Sequence, residues 1–382
     1  MTGTNRRPRI AALVATPSKD NTGMRVVNDA LVCWLASRGL REQTDFFQFE
    51  AAAPQESPPY GCVLDLDPSR YELVVVWGDF LLDRNWLVRA CERVAQERGA
   101  PFNEVRAHAE RVLFGDGGAG PARIVAGQCL LVSDDGYERD TAYQGRFARL
   151  AREARVFQMR DPLSVARASV FAGVPAPTIP ALDAALLRPA LRARLGGAPE
   201  AAPARDGFGV FFGRTDGGLR AKLGCALAAA STRGAGPARY LRWLPARPVP
   251  GWVRAALRPS EVTLPREIDA IAATLSSLAF VVTDTYHLAL VCWSLGVPAL
   301  CVGAGAQRFQ HSVHDKKKEI FFLSQRIERF HVFAEEGLSA ARAQARTALA
   351  EVADADPGPT VAARIRGQAE RVIAVLDAAI GS

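Results

Sequence analysis

Lysine is scarce in this chain of 382 residues: Lys19, Lys222 and the run Lys316–Lys318 are all it has, beside five histidines. Nearly all of the positive charge behind its formal +7 is therefore arginine, scattered through Ala-, Gly- and Pro-rich sequence. No stripe of arginine with interleaved aromatics occurs, which argues against a nucleic-acid surface and leaves an anionic small substrate compatible. The seven cysteines (33, 62, 91, 129, 225, 292 and 301) form no C-x-x-C pair, and most lie in apolar runs. That excludes a disulfide framework and points to a reducing cytoplasm. No apolar stretch reaches the ~18 residues needed to cross a membrane. The basic N-terminus leads into an apolar run too short for a signal peptide, which reads instead as a first strand. What the chain does have is ordinary globular composition, 49% hydrophobic and 23% charged. Its length suffices for two domains.

Apolar runs with strand and helix character alternate along it. Residues 9–15, 71–77, 123–131 and 156–159 read as strands. Residues 26–36, 83–98, 141–153 and 164–171 have helical spacing. After a Pro-, Ala- and Arg-rich stretch a second series begins, with strands at 209–212, 238–243 and 299–302 and helices at 219–231 and 266–276. Two amphipathic helices, 339–352 and 360–380, end the chain. Alternating β and α with short connections predicts parallel sheets. The expected architecture is α/β: two doubly wound Rossmann-like domains facing across a cleft, the GT-B-like arrangement of glycosyltransferases. The boundaries expected are 1–175 for an acceptor-side domain, 176–207 for a connection, 208–338 for a donor-side domain and 339–382 for terminal helices.

The segment Phe280–Gly303, FVVTDTYHLALVCWSLGVPALCVG, carries the sharpest site signal. A strand runs into the turn Thr283-Asp284-Thr285, and Tyr286 and His287 open a helix. Ligands sit at the carboxyl ends of strands in doubly wound sheets, and a histidine there can act as acid, base or anion ligand. The plain alternative is that Thr283 and Asp284 cap the helix and His287 packs in the core. Four further groups stand out. Arg214 follows a strand in a Gly-containing turn, as an anion cradle or a surface residue. Arg160-Asp161 precedes Pro162 and Ser164, where Asp161 suits a helix cap. Lys316, Lys317 and Lys318 hold three of the five lysines, as an anion-binding loop or a solvated face. Asn21 and Gly23 occupy the turn after the first strand, and Asp79 the turn after a later one. His311 and His314 with Asp315 resemble a metal spacing, but with no further Cys or His cluster no metal is expected.

Together these segments resemble the polysaccharide pyruvyl transferase family, over about residues 9 to 325. NTGMRVVNDAL is similar to its Asn-x-Gly-Asp segment, with Met24 where the family has Asp. YELVVVWGDFLLD resembles its strand with a glycine-rich turn, reduced here to Trp77-Gly78-Asp79. VFQMRDPLSVARASVFAGV is similar to its Arg-Asp-x-x-Ser segment. TDTYHLALVCWSLGVPALCVG resembles its Ser/Thr-Asp-x-aromatic-His segment, with Thr285 where many members have Arg and Leu288 where a small residue is usual. A later lysine, here within Lys316–Lys318, fits the family's order.

The resemblance implies transfer of a pyruvyl group from phosphoenolpyruvate to a sugar or glycan as a ketal, with no other cofactor. His287 would be the proton donor and Asp284 would orient it or hold the acceptor. Arg214, Thr283, Tyr286 and Lys316–Lys318 would hold the donor, with Asn21, Gly23, Asp79, Arg160 and Asp161 on the acceptor or cleft side. A cytoplasmic enzyme of exopolysaccharide or cell-envelope glycan synthesis is implied, compatible with peripheral association with a lipid-linked glycan. Two other functions fit the pattern: a GT-B-type glycosyltransferase using a nucleotide-sugar donor, and a non-catalytic glycan-binding or assembly protein. In the glycosyltransferase, Glu261 or Glu267 would have to hold a ribose.

Overall fold

The computed structural model describes residues 9–15, 21–50, 59–117, 120–130, 140–173, 179–196, 205–213, 218–232, 236–243, 248–303, 313–333, 335 and 337–381. Arg214 and His311 lie outside these residues, as do the side chains of His314 and Asp315.

Six strands build the first sheet: β1 (Ile10–Val14), β2 (Thr44–Gln48), β3 (Tyr60–Cys62), β4 (Leu73–Asp79), β5 (Ala122–Gln128) and β6 (Val156–Met159). Their order is β3-β2-β1-β4-β5-β6 and every pairing is parallel. This is the doubly wound dinucleotide-fold order, with its reversal between β1 and β4. All five residues of β1 and all seven of β4 are buried, as expected of central strands covered on both faces.

The helices between them are α1 (Thr22–Ser37), α2 (Arg84–Arg98), α3 (Phe102–Phe114), α4 (Thr141–Glu153), α5 (Pro162–Ala172) and α6 (Arg188–Arg194). Three of them, α2, α4 and α5, start on short acidic side chains that take up free amides of the first turn. Asp83 accepts from Trp86 N–H (3.0 Å), Asp140 from Tyr143 N–H (2.9 Å) and Asp161 from Ser164 N–H (2.8 Å). In the core, Trp34 of α1 stacks on Trp77 of β4 with ring centroids 5.7 Å apart.

The second sheet repeats the design. Its strands are β7 (Phe208–Phe211), β8 (Ala238–Leu241), β9 (Ser260–Val262), β10 (Phe280–Thr283), β11 (Ala299–Gly303) and β12 (His331–Phe333). The order β12-β11-β10-β7-β8-β9 is again parallel throughout, and reverses between β7 and β10. Its helices are α7 (Leu219–Ala230), α8 (Gly251–Leu257), α9 (Ile268–Ser276), α10 (Tyr286–Ser294), α11 (Val313–Ser324), α12 (Gly337–Ala355) and α13 (Gly358–Gly381). Helices α7 and α12 pack closely against each other. A Cβ on Gly224 would lie 2.6 Å from the Leu338 carbonyl oxygen and 3.1 Å from the Arg342 amide.

The chain falls into two compact units, one of Met1–Lys19, Val27–Leu195 and Gln368–Ser382, the other of Asp20–Val26 and Gly196–Gly367. These differ from the boundaries expected from sequence: Asp20–Val26 and residues 339–367 are grouped with the second unit. Much of the stretch 176–207 is part of the first unit: Leu182, Leu186, Leu187 and Leu191 are buried, and Gln158 Nε2 donates to the Leu182 carbonyl (3.0 Å). The last residues also belong there, because Asp377 accepts from the Trp34 indole (3.0 Å) and pairs with Arg194 (2.7 Å). Among the described residues, no helix is long and apolar enough to cross a membrane.

Candidate functional site

In the second unit the chain winds away in opposite directions from β7 and β10, so their carboxyl ends flank the crevice where such sheets bind ligands. The turn after β10 is built by its own side chains: Thr283, fully buried, accepts the Thr285 N–H on its Oγ1 (3.0 Å). Asp284 Oδ1 accepts from the Gly213 N–H just beyond β7 (2.7 Å) and from the Thr285 hydroxyl (3.2 Å). Its other oxygen, Oδ2, lies 2.8 Å from Lys222 Nζ of α7. Both partners are nearly inaccessible, Asp284 at 7% and Lys222 at 5% exposure. The Lys222 ammonium also sits 5.8 Å from the Phe212 ring centroid. A neighbour responds to the carboxylate: burial pushes the Tyr240 phenol up to about 12, and the charge of Asp284 adds to the shift.

Tyr286 and His287 open α10. Tyr286 is buried and His287 half-buried, with ring centroids 5.1 Å apart. The Lys317 ammonium stands 4.7 Å over the Tyr286 ring, a cation–π contact, and Lys318 Nζ donates to the Val302 carbonyl of β11 (3.1 Å). Lys316, Lys317 and Lys318 are each only 5–6% exposed, which overturns the reading of the run as a solvated face. Successive helical residues project about 100° apart, so their common burial means that α11 is enclosed on more than one side.

Asn21 and Gly23 are grouped with this same unit. Asn21 Oδ1 accepts from the Met24 N–H (3.2 Å) and so caps α1. A Cβ on Gly23 would overlap Nδ1 of His287, so only glycine leaves room for that ring in this position. Gly23 thus lies in the first turn of α1 and not in the turn before it, and the starts of two helices far apart in sequence are brought together.

Asp79, Arg160 and Asp161 belong to the first unit. Asp79, at φ 48° on the end of β4, is ion-paired with Arg160. Arg160 is 4% exposed, lies 3.7 Å from Asp183 and stacks 5.1 Å over Phe80. It also donates to Cys129 Sγ (2.8 Å). Asp161 receives the Ser164 hydroxyl (2.7 Å) as well as its amide. That hydroxyl in turn accepts the Leu130 N–H (3.0 Å). Glu261 of β9 is bound by Arg254 (3.2 Å) and Arg242 (3.5 Å). Among the described residues, no group of three or more His, Cys, Asp or Glu is arranged to hold a metal ion.

Sequence reasoning missed Lys222. One signal was present: it is one of only two lysines outside the triplet, in a chain that otherwise uses arginine, on the helix that follows β7.

No family model matches the sequence, and no curated protein matches it. Solved structures do. A Listeria monocytogenes protein assigned as a UDP-N-acetylglucosamine 2-epimerase superposes with a TM-score of 0.53 at 12% identity, covering 97% of this chain and 96% of its own. The UDP-GlcNAc 2-epimerase of Neisseria meningitidis, bound to UDP-GlcNAc, gives 0.51 at 8% identity over 96% of this chain and 99% of its own. The chain has a GT-B-like fold of two Rossmann-like domains. At these identities the likeness extends to the fold alone.

Proposed function

We propose that this chain is a transferase that binds the phosphate of an activated donor at the switch point of its second sheet, and that the donor is a nucleotide sugar. The observation behind this reading is that the Lys317 ammonium stands over Tyr286, next to His287 at the amino end of α10, while Lys318 bonds the Val302 carbonyl of the neighbouring strand β11. Free N–H groups and a positive dipole at such an end favour phosphate, and nearly buried ammonium groups strengthen the field. The nucleotide sugar is supported by the Neisseria protein, which shares the fold along almost the whole chain and is bound to UDP-GlcNAc. In this reading His287 takes the proton of the acceptor hydroxyl as the bond to the donor breaks.

Pyruvyl transfer from phosphoenolpyruvate is the second reading, favoured by the segment TDTYHLALVCWSLGVP, in which His287 is half-buried at a strand end. There His287 protonates the enol carbon, one sugar hydroxyl adds to the adjacent carbon, phosphate leaves from that carbon, and a second sugar hydroxyl takes its place to close the ketal, each hydroxyl giving up its proton. One pair of measurements separates the two: thermal stabilisation by UDP-GlcNAc against phosphoenolpyruvate, followed by acceptor mass gain with phosphate or nucleotide release. Stabilisation by the nucleotide sugar alone is expected, the converse makes phosphoenolpyruvate the donor, and a null result with both rejects donor binding. With either donor His287→Ala should lower turnover by about 10²-fold or more. Near-normal turnover removes His287 from the reaction.

A further inference from the structure

The switch point holds a contradiction that the pairing around Asp284 resolves. A carboxylate with 7% exposure stands at the crevice assigned above to an anionic donor, where its charge would repel phosphate. Yet the same carboxylate ties the ends of the two switch strands together, because Oδ1 on the β10 side accepts the Gly213 N–H on the β7 side (2.7 Å). Lys222 meets both needs. It springs from the first turn of α7, its own amide bonded to the Gly218 carbonyl (2.9 Å), and brings its ammonium to 2.8 Å from Oδ2. The oxygen facing Lys222 is not the one that holds Gly213, so neutralisation and strand-tying act through different atoms of one side chain.

We propose that Lys222 is a positioning residue for the donor site: it cancels the Asp284 charge and fixes that carboxylate on Gly213, without itself touching the donor. The donor part of this inference rests on the phosphate-binding reading above, and the Gly213 part does not. Removing only one member of a buried pair leaves an uncompensated charge, whereas removing both charges leaves none. Asparagine at 284 still offers an oxygen to the Gly213 amide.

Three variants test it: Lys222→Met, Asp284→Asn and the two combined. Each is measured by calorimetry with UDP-GlcNAc and with phosphoenolpyruvate, by steady-state kinetics on whichever is turned over, and by hydrogen exchange at the Gly213 amide without ligand. Lys222→Met alone should weaken donor binding at least tenfold, raise KM far more than it lowers kcat, and cut Gly213 protection at least tenfold. The combined variant should return donor affinity to within about threefold of wild type and restore Gly213 protection. Unchanged affinity in Lys222→Met overturns the neutralising role. A combined variant that stays as weak as Lys222→Met overturns the inference by making Lys222 a direct donor ligand. If wild-type protein binds neither donor, the functional reading fails by itself. The exchange arm then decides the pair: protection that is unchanged in Lys222→Met refutes it.

Discussion

Asp140 shows how several modest contacts fix one ionisation state. Burial by itself would raise its carboxyl, but the Arg84 hydrogen bond (2.9 Å), the Tyr143 amide and the charges of Arg84 and Arg106 outweigh that and hold it below the ordinary aspartate value. A group whose folded pKa lies below its unfolded one stabilises the fold above the unfolded value, about 3.9 for aspartate, and loses that contribution as pH falls through the folded value. Asp140→Asn should therefore unfold at lower urea than wild type at pH 7, with the gap closing towards pH 2. A gap of equal size at both pH values would mean that packing, not charge, is responsible.

The lysine run, expected as an anion-binding loop or a solvated face, is neither a loop nor solvated: Lys316–Lys318 lie in α11 and are buried. A lysine triplet is ordinarily solvated, yet Lys317 and Lys318 spend their charges on the Tyr286 ring and the Val302 carbonyl. Nothing in the triplet itself distinguishes the two situations, since the partners come from α10 and β11. Asp161 was readable in advance, because the cap, the proline and the serine it needs are all within three positions.

Elements with a strong period are where sequence and structure agree best. The helix expected at 141–153 is α4 (Thr141–Glu153), and the strand at 156–159 is β6 (Val156–Met159). Expected strands 9–15 and 299–302 correspond to β1 (Ile10–Val14) and β11 (Ala299–Gly303). The sequence reading lacks β2 (Thr44–Gln48) and the three-residue strands β3, β9 and β12; a run as short as the last three carries no period and takes its definition from the neighbour it bonds. α3 is absent from the sequence reading although Val105, Ala109, Val112 and Leu113 of FNEVRAHAERVLF share one buried face at helical spacing.

The pair α7 and α12 offers a test among the helices. Alanine-rich faces let the backbones approach until Gly224 has no room for a side chain against Leu338 and Arg342. Gly224→Val should cost about 1–3 kcal/mol in chemical denaturation through overpacking. A neutral outcome would show that α12 can move away without loss.

For the chain as a whole, the two units are not contiguous stretches: the first ends with residues drawn from α13. Arg194 and Arg38 converge on Asp377 at 2.7 and 3.8 Å, and the Arg155 guanidinium donates to the Ala379 carbonyl (3.1 Å). Ending the chain after Gly367 should therefore lower the unfolding midpoint of the first unit by several degrees in calorimetry, since ~1 kcal/mol shifts a domain of this size by about 2–4 °C. An unchanged thermogram would show that these contacts contribute nothing to that unit.

The alternating α/β architecture followed from residue order, because strand and helix periods are local properties of which neighbours along the chain are apolar. So did His287 at a strand end. Strand order, the membership of residues 176–195 and 368–382, and the company that His287 keeps did not, because each depends on partners distant in sequence. Lys222 reaches Asp284, and Gly23 makes room for His287, only once the sheet brings them into contact. Charge neutralisation and steric fit are fixed by neighbours in space, and those neighbours exist only in the folded chain.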